Sequence, residues 1–490
     1  MNLDADAAYL AVKSRDARFD GRLFVGVTST RIYCRTICRV RTPKRENCRF
    51  FETPAQAEAQ AFRPCLKCRP EIAPGPGLAW SVMDASRTLA RQAAEWLAME
   101  PASGEAPALA ALAARLGVSG RHLRRIFRAE HGVTPIQYVQ TRRLLTAKQL
   151  LTDTRLPVSQ IALASGFGSL RRFNAAFAQS YRMSPSRLRG DAADDPQPQD
   201  DAIGVALGYR TPYDIARLMR FLAQRAVPGV EAVDGLRVRR TLRAGVVAEA
   251  AGWMEAEFEP ADGRVHLRFA PAFAPASARV VAAARRWLDL DAAPQIIDAA
   301  LADLPGDAGL RLPGSLDAFE LAVRAVLGQQ VTVAAARTLA RRLVERFGEP
   351  LVTPWDDVAR TFPSPERLTA ATLDDVASLG IIRTRANAIL GLAQAWSAIA
   401  PRLHAHQPPD ALIESLCARP GIGPWTAHYI AMRALSWPDA FPPHDVAVLK
   451  AMKRLFDCGS QREADTIAQA WQPWRAYAVL RLWNSLEKTT

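Results

Sequence analysis

The chain has 490 residues, 49% of them hydrophobic, and a formal net charge of +14. That length exceeds what one core organises and implies three or four domains; no apolar run approaches 18 residues, so a membrane span is not expected. The charge is uneven: residues 1–190 hold 30 Lys/Arg against 14 Asp/Glu, and residues 191–490 hold 33 against 35, so attraction to a polyanion is expected from the N-terminal part. The opening MNLDADAAYL lacks a basic flank and an apolar stretch, which argues against export and for a cytoplasmic location with reduced thiols. An odd total of seven cysteines argues against a disulfide framework.

The first feature along the chain is two close cysteine pairs, Cys34 with Cys38 (C-x3-C) and Cys65 with Cys68 (C-x2-C). Four thiolates so spaced can close a tetrahedral zinc shell. Between positions 31 and 49 stand Arg31, Arg35, Arg39, Arg41, Lys44, Arg45 and Arg49 against a single acid, Glu46. Such a field attracts phosphate and favours thiolate over thiol. Spacing alone leaves open whether the metal site is a structural knot or a reactive centre. Cys48 falls outside both pairs and reads as a bystander, and Cys417 and Cys458 read as ordinary thiols.

The text FDGRLFVGVTSTRIYCRTICRVRTPKRENCRFF, followed by FRPCLKCRP, resembles the methylphosphotriester-repair domain of Ada proteins over residues 1–75. The resemblance implies that Cys34, Cys38, Cys65 and Cys68 bind zinc and that Cys34 also takes a methyl group from a DNA phosphotriester. Methylating one of four thiolates removes a negative charge beside a phosphate, so DNA affinity is expected to rise after transfer. The PCHRV-type reactive cysteine that many Ada proteins carry in a further domain is absent from the sequence.

Pro and Gly interrupt EIAPGPGLAW near 74–77, and the acidic GDAADDPQPQDDA covers 190–202; both read as linkers. Between them HLRRIFRAEHGVTP (122–135) recurs fifty residues on as RFNAAFAQSYRMSP (172–185), aligning Phe127 with Phe177, Pro135 with Pro185 and Leu123 with Phe173. One face of each helix is therefore core. A short amphipathic helix precedes each, with Gly117 or Gly166 able to take the tight turn. This resembles the tandem helix-turn-helix domain of AraC-type regulators over residues 82–190. The resemblance implies that the second helix of each unit enters a major groove, making Ser119, Arg121, His122, Arg124 and Arg125, then Ser169, Arg171 and Arg172, base or phosphate contacts. For any one of these side chains a solvated basic face is the alternative.

Residues 203–310 change character: VEAVDGLRVRRTLRAG, AGWMEAEFEP and GRVHLRFA alternate like strands, which predicts a small α/β domain with no catalytic residue of its own. From 311 onward helical spacing dominates. Within it LCARPGIGPWTAHYIAMRAL (416–435) reads as a helix, a tight turn and a second helix. Gly421 and Gly423 would let backbone amides approach a DNA phosphate, and the next helix N-terminus adds its dipole. PPHDVAVLK then places Asp445 beyond the hairpin.

These segments, with RLPGSLDAFELAVRAVLGQQVTV (311–333) and WQPWRAYAVLRLW (471–483), resemble the AlkA-type 3-methyladenine glycosylases of the helix-hairpin-helix superfamily over residues 203–490. The resemblance implies that Asp445 is the catalytic carboxylate and that Trp425, Tyr429 and Trp483 line a pocket for a flipped alkylated purine. Trp425 stands where lyase members carry a Schiff-base lysine, implying a monofunctional enzyme that uses water. Gln329 and Gln330 fall where this family often inserts or supports a DNA-contacting loop, with helix capping or loop packing as the alternative. Asp439 and Asp457 lie near Asp445 in sequence but lack its motif.

The expected fold is multidomain and mainly α: a zinc-binding four-cysteine domain (1–75), a tandem helix-turn-helix domain (82–190), a small α/β domain (203–310) and an all-α helix-hairpin-helix domain (311–490). The expected function joins a methylation-activated transcription regulator to a glycosylase for alkylated purines. Its expected partners are double-stranded alkylated and promoter DNA, zinc and RNA polymerase, with the chain a monomer. The alternatives are a regulator whose glycosylase-like region merely binds DNA, and a glycosylase whose cysteine domain is structural.

Overall fold

The computed structural model describes residues 4–75, 85–99, 109–190, 202–403 and 409–486. Positions 76–77 and 191–201 of the two expected linkers lie outside the described residues. Two compact units emerge, Met1–Thr211 with Glu259–Ala282, and Pro212–Phe258 with Ala283–Thr490.

The first unit opens with a four-stranded sheet in the order Cys48–Phe51, Phe24–Val27, Ile32–Arg35, Arg63–Pro64, antiparallel except for the last pair. Successive strand residues face opposite sides. Phe24, Tyr33, Phe51 and Phe62 therefore share one apolar core, while Val25, Cys34 and Cys48 join Cys38 and Cys65 in another.

Two helix-turn-helix units follow. Leu109–Arg115 turns at Gly117 (φ +67°) into Gly120–His131, and Val158–Ala164 turns at Gly166 (φ +87°) into Leu170–Tyr181. Left-handed backbone at these two positions is the reason glycine stands there. Ser119 and Ser169 cap the second helices by accepting from the amides of His122 and Arg172, both at 3.2 Å. Leu123, Ile126 and Phe127 are buried in the first, and Phe173, Phe177 and Tyr181 in the second, so the fifty-residue echo is one packing solution used twice. The 19-residue helix Pro135–Asp153, started by a Thr134/Gln137 capping box, lies between the two units in sequence.

A buried ionic cluster ties these parts together. Lys148 on that long helix meets Glu71 at 2.6 Å, and Arg69 bridges Glu71 at 3.0 Å and Asp153 at 2.6 Å. Asp153 and Gln149 then bind the backbone N–H and carbonyl of Ala206, at 3.1 and 2.8 Å. Strand Ile203–Gly208, paired antiparallel with Arg264–Phe269, is thus fastened to the helical part.

In the second unit strands Glu231–Asp234, Arg237–Leu242 and Gly252–Glu259 form an antiparallel meander beside helix Ile215–Arg225. Its helices build two apolar clusters. One centres on Phe319–Leu327, Leu343–Phe347 and Ala386–Ile399, the other on Val448–Met452 and Trp471–Leu482; Tyr429 and Trp437 pack against both. Arg240 and Arg324 enclose Glu231 and Glu320, with bonds of 2.6–3.0 Å, and so seat the meander on helix Ala318–Leu327.

Candidate functional site

The ligand atoms of Cys34, Cys38, Cys65 and Cys68 lie within 4.8 Å of one another. Four sulfurs about 2.3 Å from a common zinc would stand about 3.8 Å apart, so the donor set fits the ion. Sequence and pairing explain the convergence. Cys34 sits on strand Ile32–Arg35, and the amide of Cys65 donates to the Tyr33 carbonyl at 3.0 Å, extending the parallel pair into the second cysteine loop. The Arg35 amide donates to the Cys68 sulfur at 3.4 Å. Without a cation the thiols compete for protons: Cys34 is pushed far up, chiefly by its bond to Cys38, while Cys65 is held far down by its bonds to Cys34 and Cys38. Four such groups ionise together only beside a cation. Cys34 is 5% exposed, whereas Cys68 is half-buried.

Arg31, Arg39, Arg41, Lys44 and Arg49 are exposed around this centre. Arg35 is not part of that surface. It is buried, its guanidinium pairs with Asp20 and donates to the Cys68 carbonyl at 3.1 Å, and it serves to hold the cysteine loop. On the helix-turn-helix units Arg121, Arg124, Arg125, Arg171 and Arg172 all project from the exposed faces of the second helices.

In the second unit the tight turn forms as expected between helices Pro409–Cys417 and Pro424–Ala434. Gly421 has φ +81°, and a Cβ there would lie 2.7 Å from Ala388, so both backbone and packing require glycine. Gly423 caps the second helix with open space around it, room for a phosphate to approach. Gln329 supports the turn, donating to the Gly421 carbonyl at 2.9 Å and to Thr426 at 3.1 Å; Gln330 is exposed with φ +55°.

Asp445 caps helix Val446–Phe456 and is 5% exposed. Its Oδ1 accepts from the Val448 amide at 2.8 Å and the Trp483 indole at 3.2 Å, and its Oδ2 from the Trp425 indole at 2.7 Å. Both carboxylate oxygens thus have donors, and the group stands at a helix N-terminus. The competing acids are otherwise engaged: Asp439 makes two 2.7 Å bonds to Arg475, and Asp457 ends the helix in left-handed conformation. Trp425 and Trp483 thus both hold the acid, and Tyr429 stacks on Trp425 and lies 6.4 Å from Trp483.

Models of four families match in order along the chain: the metal binding domain of Ada over 7–71, a helix-turn-helix domain over 112–191, the AlkA N-terminal domain over 204–317, and the HhH-GPD superfamily base excision DNA repair protein over 323–476. A probable bifunctional transcriptional activator/DNA repair enzyme AlkA of Mycobacterium tuberculosis is 36% identical, covering 99% of this chain and 97% of that protein. The chain belongs to this bifunctional AlkA family. DNA-3-methyladenine glycosylase 2 of Escherichia coli is 37% identical over 56% of the chain and 95% of its own length. A 3-methyladenine DNA-glycosylase structure from Archaeoglobus fulgidus, 21% identical, superposes on 57% of the chain and 97% of its own with a TM-score of 0.50, a likeness of fold.

The segment 203–310, in which no catalytic residue is expected from sequence, contributes two side chains near the aromatic cluster. Helix Ile215–Arg225 brings Phe221 and Arg225 to a narrow cleft of about 50 Å³ that Pro313 and Trp483 also line. The Arg225 guanidinium lies 3.8 Å from the Phe221 ring centroid, and Arg433 donates to the Tyr429 hydroxyl at 3.0 Å. Burial alone would push Tyr429 up; Arg433 and Arg225 outweigh it and hold the hydroxyl below the ordinary tyrosine value. No local signal marks Phe221 or Arg225, because the partner Tyr429 lies some two hundred positions later in the sequence.

Proposed function

We propose that this chain answers DNA alkylation twice: it accepts a methyl group on Cys34 and thereby becomes a stronger DNA-binding activator, and it excises alkylated purines with Asp445. The observation that carries the second half is the Asp445 carboxylate, buried and held by two indole N–H groups, one of them from the helix that follows the Gly421–Gly423 turn. Breaking the N-glycosidic bond of a cationic purine builds positive charge on the sugar, and the fixed carboxylate stabilises it and assists the water that adds at the anomeric carbon, whose proton passes on to solvent. The base departs neutral. Tyr429 and Trp483 supply aromatic faces for the flipped base, and Gly421 and Gly423 hold the phosphate.

In the first half the Cys34 sulfur forms a bond to the methyl carbon, the carbon–oxygen bond breaks, and the phosphodiester regains its negative charge. Zinc keeps such a thiolate anionic at neutral pH. Arg121, Arg124, Arg125, Arg171 and Arg172 then bind promoter DNA, and the activator contacts RNA polymerase as a monomer whose two recognition helices read adjacent grooves. Among the described residues no helix is long and apolar enough to cross a membrane, which suits the proposed cytoplasmic site of action. The test is release of free base from DNA containing 3-methyladenine. Parent protein should release it and Asp445→Asn should not; a folded parent that binds this DNA and releases nothing favours a regulator only.

A further inference from the structure

We propose that Trp425 is a positioning residue that aims the Asp445 carboxylate, and that the flipped base is received by Tyr429 and Trp483 without being sandwiched against Trp425. The inference rests on the reading of Asp445 as the catalytic acid. The Trp425 and Tyr429 rings are 5° from parallel with centroids 5.4 Å apart. A base inserted between two rings needs about 7 Å between their planes, twice the carbon contact distance of about 3.5 Å. The space is filled by the stack itself, so one face of Trp425 is closed by Tyr429.

What Trp425 does offer is its edge. The indole N–H meets Oδ2 of Asp445 at 2.7 Å, a short bond to an ionised acceptor. The plane of the indole is set from behind. Arg433 is pinned by the carbonyls of Pro313 at 2.9 Å and Gly314 at 3.1 Å; it fixes the Tyr429 hydroxyl at 3.0 Å, and Tyr429 fixes Trp425 by stacking. A chain of contacts from Arg433 through Tyr429 and Trp425 thus orients the acid. Trp483 secures Oδ1 at 3.2 Å while its ring stands at 45° to Tyr429 with centroids 6.4 Å apart, so these two rings, unlike Trp425 and Tyr429, are not stacked on each other. Without the Trp425 donor, Oδ2 of a 5% exposed carboxylate loses its hydrogen bond, and the charge is free to turn from the sugar.

Trp425→Phe separates the two roles, because it keeps a ring that stacks on Tyr429 and removes only the donor. Two quantities are measured: the single-turnover rate of base release from 3-methyladenine DNA, and Kd for DNA carrying an abasic site. The expected result is a rate lowered about 10- to 100-fold with Kd unchanged within about twofold. A rate equal to the parent's, or a loss that appears wholly in Kd, overturns the proposal and makes Trp425 a binding surface. If Trp425→Phe fails to fold by circular dichroism, Trp483→Phe puts the same question to Oδ1, with the same rate loss expected and an unchanged rate overturning the proposal. Asp445→Asn keeps the failures apart: base release surviving in it defeats the reading of Asp445, whereas its loss beside a fully active Trp425→Phe defeats this inference alone.

Discussion

The four-cysteine cluster and the Asp445 site both keep negative charge in a largely buried place, and they do it by opposite means. Four sulfurs within 4.8 Å of one another form a donor set that fits a divalent cation, which would balance their charge. One carboxylate needs no ion, because three neutral N–H donors at 2.7–3.2 Å and a helix N-terminus suffice. The difference extends to the chemistry. A sulfur that forms a thioether is spent after one event, whereas a carboxylate that only stabilises charge is unchanged and works again.

Removing one sulfur should give the largest effect. Cys65→Ser leaves three thiolates, and loss of zinc affinity should lower the stability of the N-terminal unit by on the order of 5 kcal/mol, read as zinc content and thermal unfolding. Base release should persist; its disappearance would mean that the two sites are not separate. Glu71→Gln comes next. Burial would push the Glu71 carboxyl up, but Lys148 and Arg69 hold it below the usual range, and the substitution strands a lysine side chain that is 2% exposed. A loss of about 3 to 5 kcal/mol is expected in denaturant unfolding.

Asp445→Asn should cut base release about 100- to 1,000-fold. Asparagine still caps helix Val446–Phe456, so unfolding midpoints should barely move. Zinc content and methyl uptake should stay as in the parent, which sharpens the contrast between sites.

A smaller effect separates a poorly held acid from the well-held one. Glu58 accepts from the Tyr33 hydroxyl at 3.1 Å, and burial pushes its carboxyl up to about 8. The folded chain therefore keeps the proton that the unfolded chain loses at ordinary glutamate pH, so this group's contribution to stability falls from pH 4.5 up to about 8 and is level above. Glu58→Gln should match the parent near pH 4 and exceed it by on the order of 1 to 2 kcal/mol near pH 8. The smallest expected change is in DNA affinity: Arg124→Ala should lower the slope of log affinity against log salt by about one, without altering base release.

How much of each site the sequence revealed follows from how its parts are spread. The metal centre is spaced over 35 positions, and two short cysteine pairs announce it. Arg35, counted from sequence toward the positive field, is buried against Asp20, a tertiary contact that no sequence window shows. Asp445, Trp425 and the hairpin glycines stand within one recognisable stretch, and Trp483 closes a second. Phe221 carries no such mark, because Arg433 comes near it only by folding, and Arg433, one helical turn from Tyr429, is likewise pinned by the remote carbonyls of Pro313 and Gly314. The attachment of strand Ile203–Gly208 to Gln149 and Asp153 was equally hidden, since alternation predicts a strand and says nothing of its neighbour.

Counting products per protein tests the contrast most directly. One preparation of methylated DNA is incubated with the parent chain, and methyl on the Cys34 peptide is followed by mass spectrometry while free 3-methyladenine is followed in the same samples. Methyl on Cys34 should level off at one per chain while free base continues to rise well past one. Free base that stops at or below one per chain, or methyl found on a different cysteine, would contradict the account.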